Sequence, residues 1–154
     1  RIRLEKPVTP AFLLAAILWP AVCERRRQLE HRGDNPIPAM HGAAQEVIAR
    51  ACQRVAIPRR FSLPMREIWE MQLRLEKPRG KRAIELMSQR RFRAAYDFLL
   101  LREQAGEDCG GLGAIWTALQ EEHEVTVVEE SPREARPRRR RGGRRRRPPV
   151  NGDG

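Results

Sequence analysis

Aspartate is scarce in this sequence, with Asp34, Asp97, Asp108 and Asp153 the only four. No two of them form a DxD pair, so the usual carboxylate platform for two magnesium ions is missing. Cysteine is equally thin: Cys23, Cys52 and Cys109 are odd in number, far apart and never in a CxxC arrangement. That spacing argues against a disulfide framework or a structural zinc site and fits a reducing compartment. The three histidines, His31, His41 and His123, lack HxxxH or HExxH spacing and are expected in or near loops. There is no Walker A loop, no Rossmann glycine pattern, and no Ser or Cys nucleophile with a convincing His partner. The glycines of CGGLGAIW are expected to form a flexible hinge. The longest apolar run, AFLLAAILWPAV, is too short to span a bilayer and has no signal-peptide cleavage site. A cytoplasmic protein is expected, and this chain by itself is expected to catalyse nothing.

Positive charge is what the sequence has. Formal net charge is +11, and 28 of the 31 basic residues are arginine. Guanidinium binds phosphate through a two-pronged fork and stacks on flat rings, which ammonium does not do. Residues 1–49 carry a net +2, residues 50–102 carry +9, residues 103–131 carry −8 with no Lys or Arg, and residues 132–154 carry +8. Two basic blocks around an acidic one point to a polyanionic partner, nucleic acid before an anionic membrane surface.

Apolar periodicity and helix punctuation predict an all-α fold of five to seven helices followed by a disordered arginine-rich tail. Thr9 is the expected N-cap of a first helix with Phe12, Leu13, Ala16 and Ile17 inward, kinked or divided at Pro20. A loop, HRGDNPIP, leads to a second helix with Met40, Ala43, Ala44, Val47, Ile48, Ala51 and Val55 on one face. Ser62 is the expected cap of a third helix buried through Met65, Ile68, Trp69 and Leu73. Ala83, Ile84 and Met87 mark a short fourth. Phe92, Ala95, Tyr96, Leu99 and Leu100 mark a fifth, and Leu112, Ile115, Trp116 and Leu119 a short last one. The stretch EVTVVEE alternates like a strand but has no partner, so it is expected to be frayed or disordered. The division predicted is a helical body over 1–122, then an acidic linker and tail over 123–154.

Binding is the chemistry these residues allow. In RVAIPRRFSLPMREIW, the turn between Pro58 and Pro64 displays Arg59 and Arg60 just before a helix whose free N–H groups also attract anions. Phe61 between them is expected to be at least partly buried. KPRGKR brings Lys77, Arg79, Lys81 and Arg82 to the next junction, and Arg90, Arg91 and Arg93 crowd the start of the helix after it. Cations at a helix start oppose its dipole, so helix stability does not explain them. Arg138, Arg139, Arg140, Arg141, Arg144, Arg145, Arg146 and Arg147 give the tail strong, salt-sensitive, sequence-independent affinity for any polyanion.

The order of LAAILWP, ACQRVAIPRRFSLPMREIWEMQLRLE, RGKRAIELMSQRRFRAAYDFLLLREQAGE, a Trp-containing helix and an arginine-rich end resembles the C-terminal half of bacterial poly(A) polymerases. These belong to the class II nucleotidyltransferase superfamily with the CCA-adding enzymes. The resemblance implies a helical body that holds an RNA 3′ region while an N-terminal head adds AMP from ATP with Mg²⁺. That head is absent from this chain, in keeping with a sequence that begins at Arg1 and has its first methionine at Met40. The resemblance marks Arg59, Arg60, Arg66, Lys81, Arg82 and Arg93 as RNA-contacting, or Arg66 as the internal ion-pair partner of Asp97. RNA 3′ ends, and RNA-decay proteins, are the partners it implies. A CCA-adding tRNA nucleotidyltransferase and a free-standing nucleic-acid-binding protein are the alternatives.

Overall fold

The computed structural model describes residues 9–130, with side chains described for residues 9–124. Six helices follow one another: α1 (Pro10–His31), α2 (Pro36–Cys52), α3 (Arg59–Leu75), α4 (Gly80–Met87), α5 (Phe92–Gln104) and α6 (Leu112–Glu130). The described residues contain no strand. The expected tail disorder falls outside them.

Helix α1 starts as its sequence dictates, with the Phe12 N–H donating to Thr9 Oγ1 at 3.1 Å. It then runs unbroken through Pro20. Proline in a helix interior costs about 3 kcal/mol. Here Pro20 is exposed, and Trp19 and Val22 on the inner side are buried, so packing holds both turns in one helix. The buried face is centred on Ala11, Ala15, Trp19, Val22 and Leu29. Of the four residues expected inward, Phe12 and Ala16 are half-buried against the first cluster, while Leu13 and Ile17 are exposed, Ile17 to 70%. AFLLAAILWPAV is apolar all round, so its periodicity does not single out a face.

Two apolar clusters share α3. The first joins α1, α2, the start of α3 and Phe98, with Met40, Met65 and Trp69 at its centre. The second joins Met71 and Leu75 of α3 to Ala83, Leu86, Phe92, Tyr96, Leu99 and Trp116. Each holds a fully buried tryptophan whose indole N–H has a backbone acceptor. Trp69 Nε1 donates to the Ala15 carbonyl at 3.1 Å, and Trp116 Nε1 to that of Leu75 at 2.8 Å. Each ring therefore buries a large apolar area without stranding its donor.

Gln72, 1% exposed, bridges the clusters. Its Nε2 donates to the Ile68 and Ala95 carbonyls, both at 3.1 Å, and its Oε1 accepts from Arg102 Nη1 at 2.8 Å. Arg102 also grips Glu107 with two hydrogen bonds, at 3.1 and 2.8 Å, and lies over the Trp19 ring at 4.9 Å. Trp19 Nε1 closes the circuit on Glu107 Oε2 at 3.2 Å. One polar network thus pins α1, α3, α5 and the α5–α6 loop. A satisfied buried network of this kind specifies one arrangement of the helices.

The Arg102 hydrogen bonds hold the Glu107 carboxyl below its ordinary pKa, against an opposing push from burial. A lowered folded value gives stability that is present above the unfolded pKa and lost as pH falls through the folded one. Burial lifts Asp97, and Arg93 only partly offsets it, so its contribution has the opposite sign and fades as pH rises through its folded pKa. Urea midpoints measured against pH are therefore expected to show a shallower acid-side loss for Glu107→Gln. Asp97→Asn is expected to steepen that loss. A Glu107→Gln curve parallel to the parent would remove the ion pair from the stability of the body.

Other expectations change on contact with the fold. Helix α3 starts at Arg59 rather than at Ser62, because the Pro58 carbonyl accepts from both the Phe61 and Ser62 N–H groups. The Ser62 hydroxyl turns back to the Arg59 carbonyl at 3.2 Å and caps nothing. Leu86 replaces Ile84 on the inner face of α4, and Phe98 joins that of α5. Ile115 and Val55 are exposed. His41 and His123 lie within α2 and α6 rather than in loops. The stretch 124–130 continues α6, where the β-branched residues cost only tenths of a kcal/mol each, about 0.7 at most. Gly110 and Gly111, expected to hinge, form a left-handed turn at φ 65° and 76°, with the Gly110 N–H on Asp108 Oδ1 at 3.0 Å.

Candidate nucleic-acid interface

The described cations fall into two groups. On α1 and the turn after it, every arginine faces an acid. Arg25 is bound to Glu46, Arg26 to Glu30 at 3.3 Å, Arg27 to Glu24 at 2.6 Å, and Arg32 to Asp34 at 3.4 Å. From the end of α2 to the start of α5 the pattern reverses. Arg50, Arg54, Arg59, Arg60, Arg66, Arg74, Lys77, Arg79, Lys81, Arg82 and Arg90 have no ion pair among the described residues, and all but Arg66 are exposed or nearly so.

Local structure explains why this charge is left uncancelled. Helices α3, α4 and α5 have no acidic residue in their first turns and no side-chain cap, so their exposed N–H groups add positive potential to the arginines already there. Arg59 and Arg60, expected in a loop, are the first two residues of α3, and the Arg60 guanidinium lies 4.8 Å from the centre of the Phe61 ring. Phe61 is half-buried and packs against the first cluster, as expected. Lys81 and Arg82 lie in the first turn of α4, with Arg79 as its N-cap.

The remaining candidates separate. Arg91 Nε binds Glu67 at 3.2 Å and ties the start of α5 to the middle of α3. Arg93 pairs with Asp97 at 3.6 Å and lies 5.5 Å from the Tyr96 ring centre. Asp97 is thus held by Arg93, and the expected bridge from Arg66 does not form. Arg66 is half-buried, and its Nε is shielded with no hydrogen-bond partner among the described residues. The eight candidate tail arginines between positions 138 and 147 lie outside the described residues.

Two cations that sequence reasoning passed over belong with the free group. Arg50 sits in the last turn of α2, where a cation suits the helix dipole and so attracts no notice. Arg54 follows in the turn beyond it. The signal was available in the absence of any acid between Glu46 and Glu67.

Among the described residues, no group of three His, Cys, Asp or Glu side chains is placed to hold a metal ion, and no helix is long and apolar enough to cross a membrane. The cysteines are free thiols, and burial pushes Cys23 up to about 11, so it is no ready nucleophile. The described residues do not fit the Mg²⁺ of nucleotidyl transfer.

Comparison with known proteins supplies the context. A family model described as the polymerase A arginine-rich C-terminus matches residues 32–148. The poly(A) polymerase I of Salmonella typhi is 42% identical over 105 residues, covering 68% of this chain and 23% of the relative. That of Escherichia coli O157:H7 is 39% identical over the same shares. That of Haemophilus influenzae is 32% identical over 144 residues, covering 90% of this chain and 32% of the relative. The chain thus spans between 23% and 32% of the length of these relatives.

Proposed function

This chain belongs to the family of polymerase A arginine-rich C-termini, and on that premise we propose that it is the RNA-holding part of a poly(A) polymerase. The reading rests on one observation above all, the series of cations without ion pairs between Arg50 and Arg90 beside an α1 whose arginines are all neutralised. Charges that the fold leaves uncancelled are available to phosphate, and each phosphate bound releases counterions. In this account the helical body and the arginine-rich tail grip an RNA 3′ region in the cytoplasm. A catalytic part outside this chain, with ATP and Mg²⁺, adds the AMP, and the lengthened RNA is passed on to decay. Similarity to enzymes named poly(A) polymerase I favours this over a CCA-adding relative.

The chain is expected to bind single-stranded RNA with an affinity that falls linearly with salt on logarithmic axes. Removing residues 132–154 is expected to make the slope shallower by about 0.7 for each phosphate no longer neutralised. Fluorescence anisotropy with an oligoadenylate of ten to fifteen or so nucleotides, from low to moderate salt, measures both. An unchanged slope would take the tail out of the account.

A further inference from the structure

Helices α1 and α2 enclose a groove of about 520 Å³ on the outer side of the body. Its floor is apolar, made by Leu18, Ala21, Val47 and Val55. Its rim is charged, but unequally so. Arg25 and Glu46 neutralise each other across the groove, and Glu24 is taken by Arg27. Arg50 and Arg54 stand on the same rim, exposed and in no ion pair among the described residues, although Arg50 feels the Glu46 carboxylate that Arg25 already binds. An apolar slot of a few hundred Å³ with a small number of convergent polar groups is the usual shape of a small-ligand site. The two free guanidinium groups give this one a preference for an anion attached to an apolar plane.

We propose that this groove takes one nucleotide unit of the RNA, with the base against Leu18, Ala21, Val47 and Val55 and its phosphate on Arg50 and Arg54. The inference rests on the RNA-binding reading and adds to it a place where a base, and not only the backbone, is held. Charge complementarity selects the occupant: a neutral peptide face would leave Arg54 with no counter-charge and Arg50 with only the Glu46 carboxylate that Arg25 already binds, whereas a nucleotide fills the slot and supplies one to both. The position along the chain agrees. Arg59 follows Arg54 by five residues, which span at most about 18 Å of extended chain. An oligonucleotide seated in the groove therefore needs only a few nucleotides to reach the start of α3. Val55, 61% exposed despite its size, becomes part of a binding surface.

The test uses the chain itself, with an oligoadenylate as the probe and AMP and inorganic phosphate as competitors. Arg50→Gln with Arg54→Gln is expected to weaken oligoadenylate binding on the order of tenfold and to flatten the salt slope by about 0.7, the amount for the one phosphate they share. Ala21→Trp fills the floor at an exposed position. It is expected to weaken binding severalfold with the slope unchanged, because it removes no charge. Val55→Trp repeats that arm if Ala21→Trp loses helicity by circular dichroism. AMP is expected to displace the oligonucleotide at concentrations where phosphate does not. If the parent chain binds RNA and these variants bind it equally well, the groove is not a nucleotide site, while the wider reading stands. Equal competition by phosphate and AMP overturns base recognition. Filling that leaves RNA binding intact but changes the sedimentation of the chain marks a protein-docking surface and also overturns it. A parent chain that binds no RNA removes the function and the groove together.

Discussion

Trp69→Ala is expected to destabilise the helical body by about 3–5 kcal/mol, the range for truncating a fully buried aromatic side chain. The ring is fully buried at the junction of α1, α2 and α3. Its indole N–H also satisfies a hydrogen bond to the Ala15 carbonyl across 54 residues of sequence. Truncation opens a cavity and cuts the tie between α3 and α1 in one step. Domains of this size are stable by only about 5–15 kcal/mol, so a loss of that magnitude is a large fraction of the total and lowers the urea midpoint markedly. Urea titration followed by circular dichroism measures it. The control is Ile17→Ala, at an exposed position, where a change within about 0.5 kcal/mol is expected. Equal effects at both sites would mean that the first cluster does not carry the fold.

The second large effect concerns RNA. Replacing Arg59, Arg60, Lys81 and Arg82 with glutamine removes four exposed cations that have no acid partner. Affinity for single-stranded RNA is expected to fall on the order of 100-fold near physiological salt, with the slope shallower by about 0.7 for each phosphate released. The informative control removes the same number of charges from α1 and the turn after it. Arg25, Arg26, Arg27 and Arg32 are all held in ion pairs. Their replacement is expected to change RNA affinity severalfold at most, because exposed ion pairs carry only about 0–1 kcal/mol each and the acids they leave behind are solvated. If both sets of four lower affinity equally, net charge governs binding and the location of the free cations is immaterial.

Much of the architecture is legible in the sequence because its punctuation is strong. Thr9 before Pro10 marks the start of α1, and the apolar spacing from Met40 to Ile48 marks the core face of α2. However, α1 is not divided at Pro20, and α2 already begins at Pro36, inside the expected HRGDNPIP loop. What fails does so for local physical reasons. In α1 the apolar residues surround the helix, and only the partner helices decide that Ala15 and Val22 face inward while Leu13 and Ile17 do not. At α3 two start signals compete four residues apart. The Pro58 carbonyl wins over the Ser62 hydroxyl by accepting two N–H groups. The Gln72, Arg102, Glu107 and Trp19 network joins positions up to 88 residues apart and has no local signature.

The candidate site is legible to the same degree. Basic clusters are visible as composition, and Arg59, Arg60, Lys81 and Arg82 stand exposed where the sequence put them, although in helical first turns rather than loops. Whether a cation is free or already neutralised depends partly on helical neighbours, as for Arg26, Arg27 and Arg93, and partly on tertiary ones, as for Arg25 and Arg91. Arg91 is drawn to Glu67, 24 residues away on another helix, and Arg54 is left open, neither of which periodicity shows, whereas Arg93 with Asp97 is an i, i+4 spacing legible in the sequence.

A fold that sorts its cations, leaving those between positions 50 and 90 for RNA, has a residue-level signature. Titrating a short oligoadenylate into the isotope-labelled chain and following backbone amide shifts tests it most directly. The account predicts shifts at Arg50, Arg54, Arg59, Arg60, Lys81 and Arg82 that saturate together, with Arg26, Arg27 and Arg32 unmoved. Bound RNA that shifts only the α1 arginines or only residues 132–154 would contradict it, and so would a chain that binds no RNA.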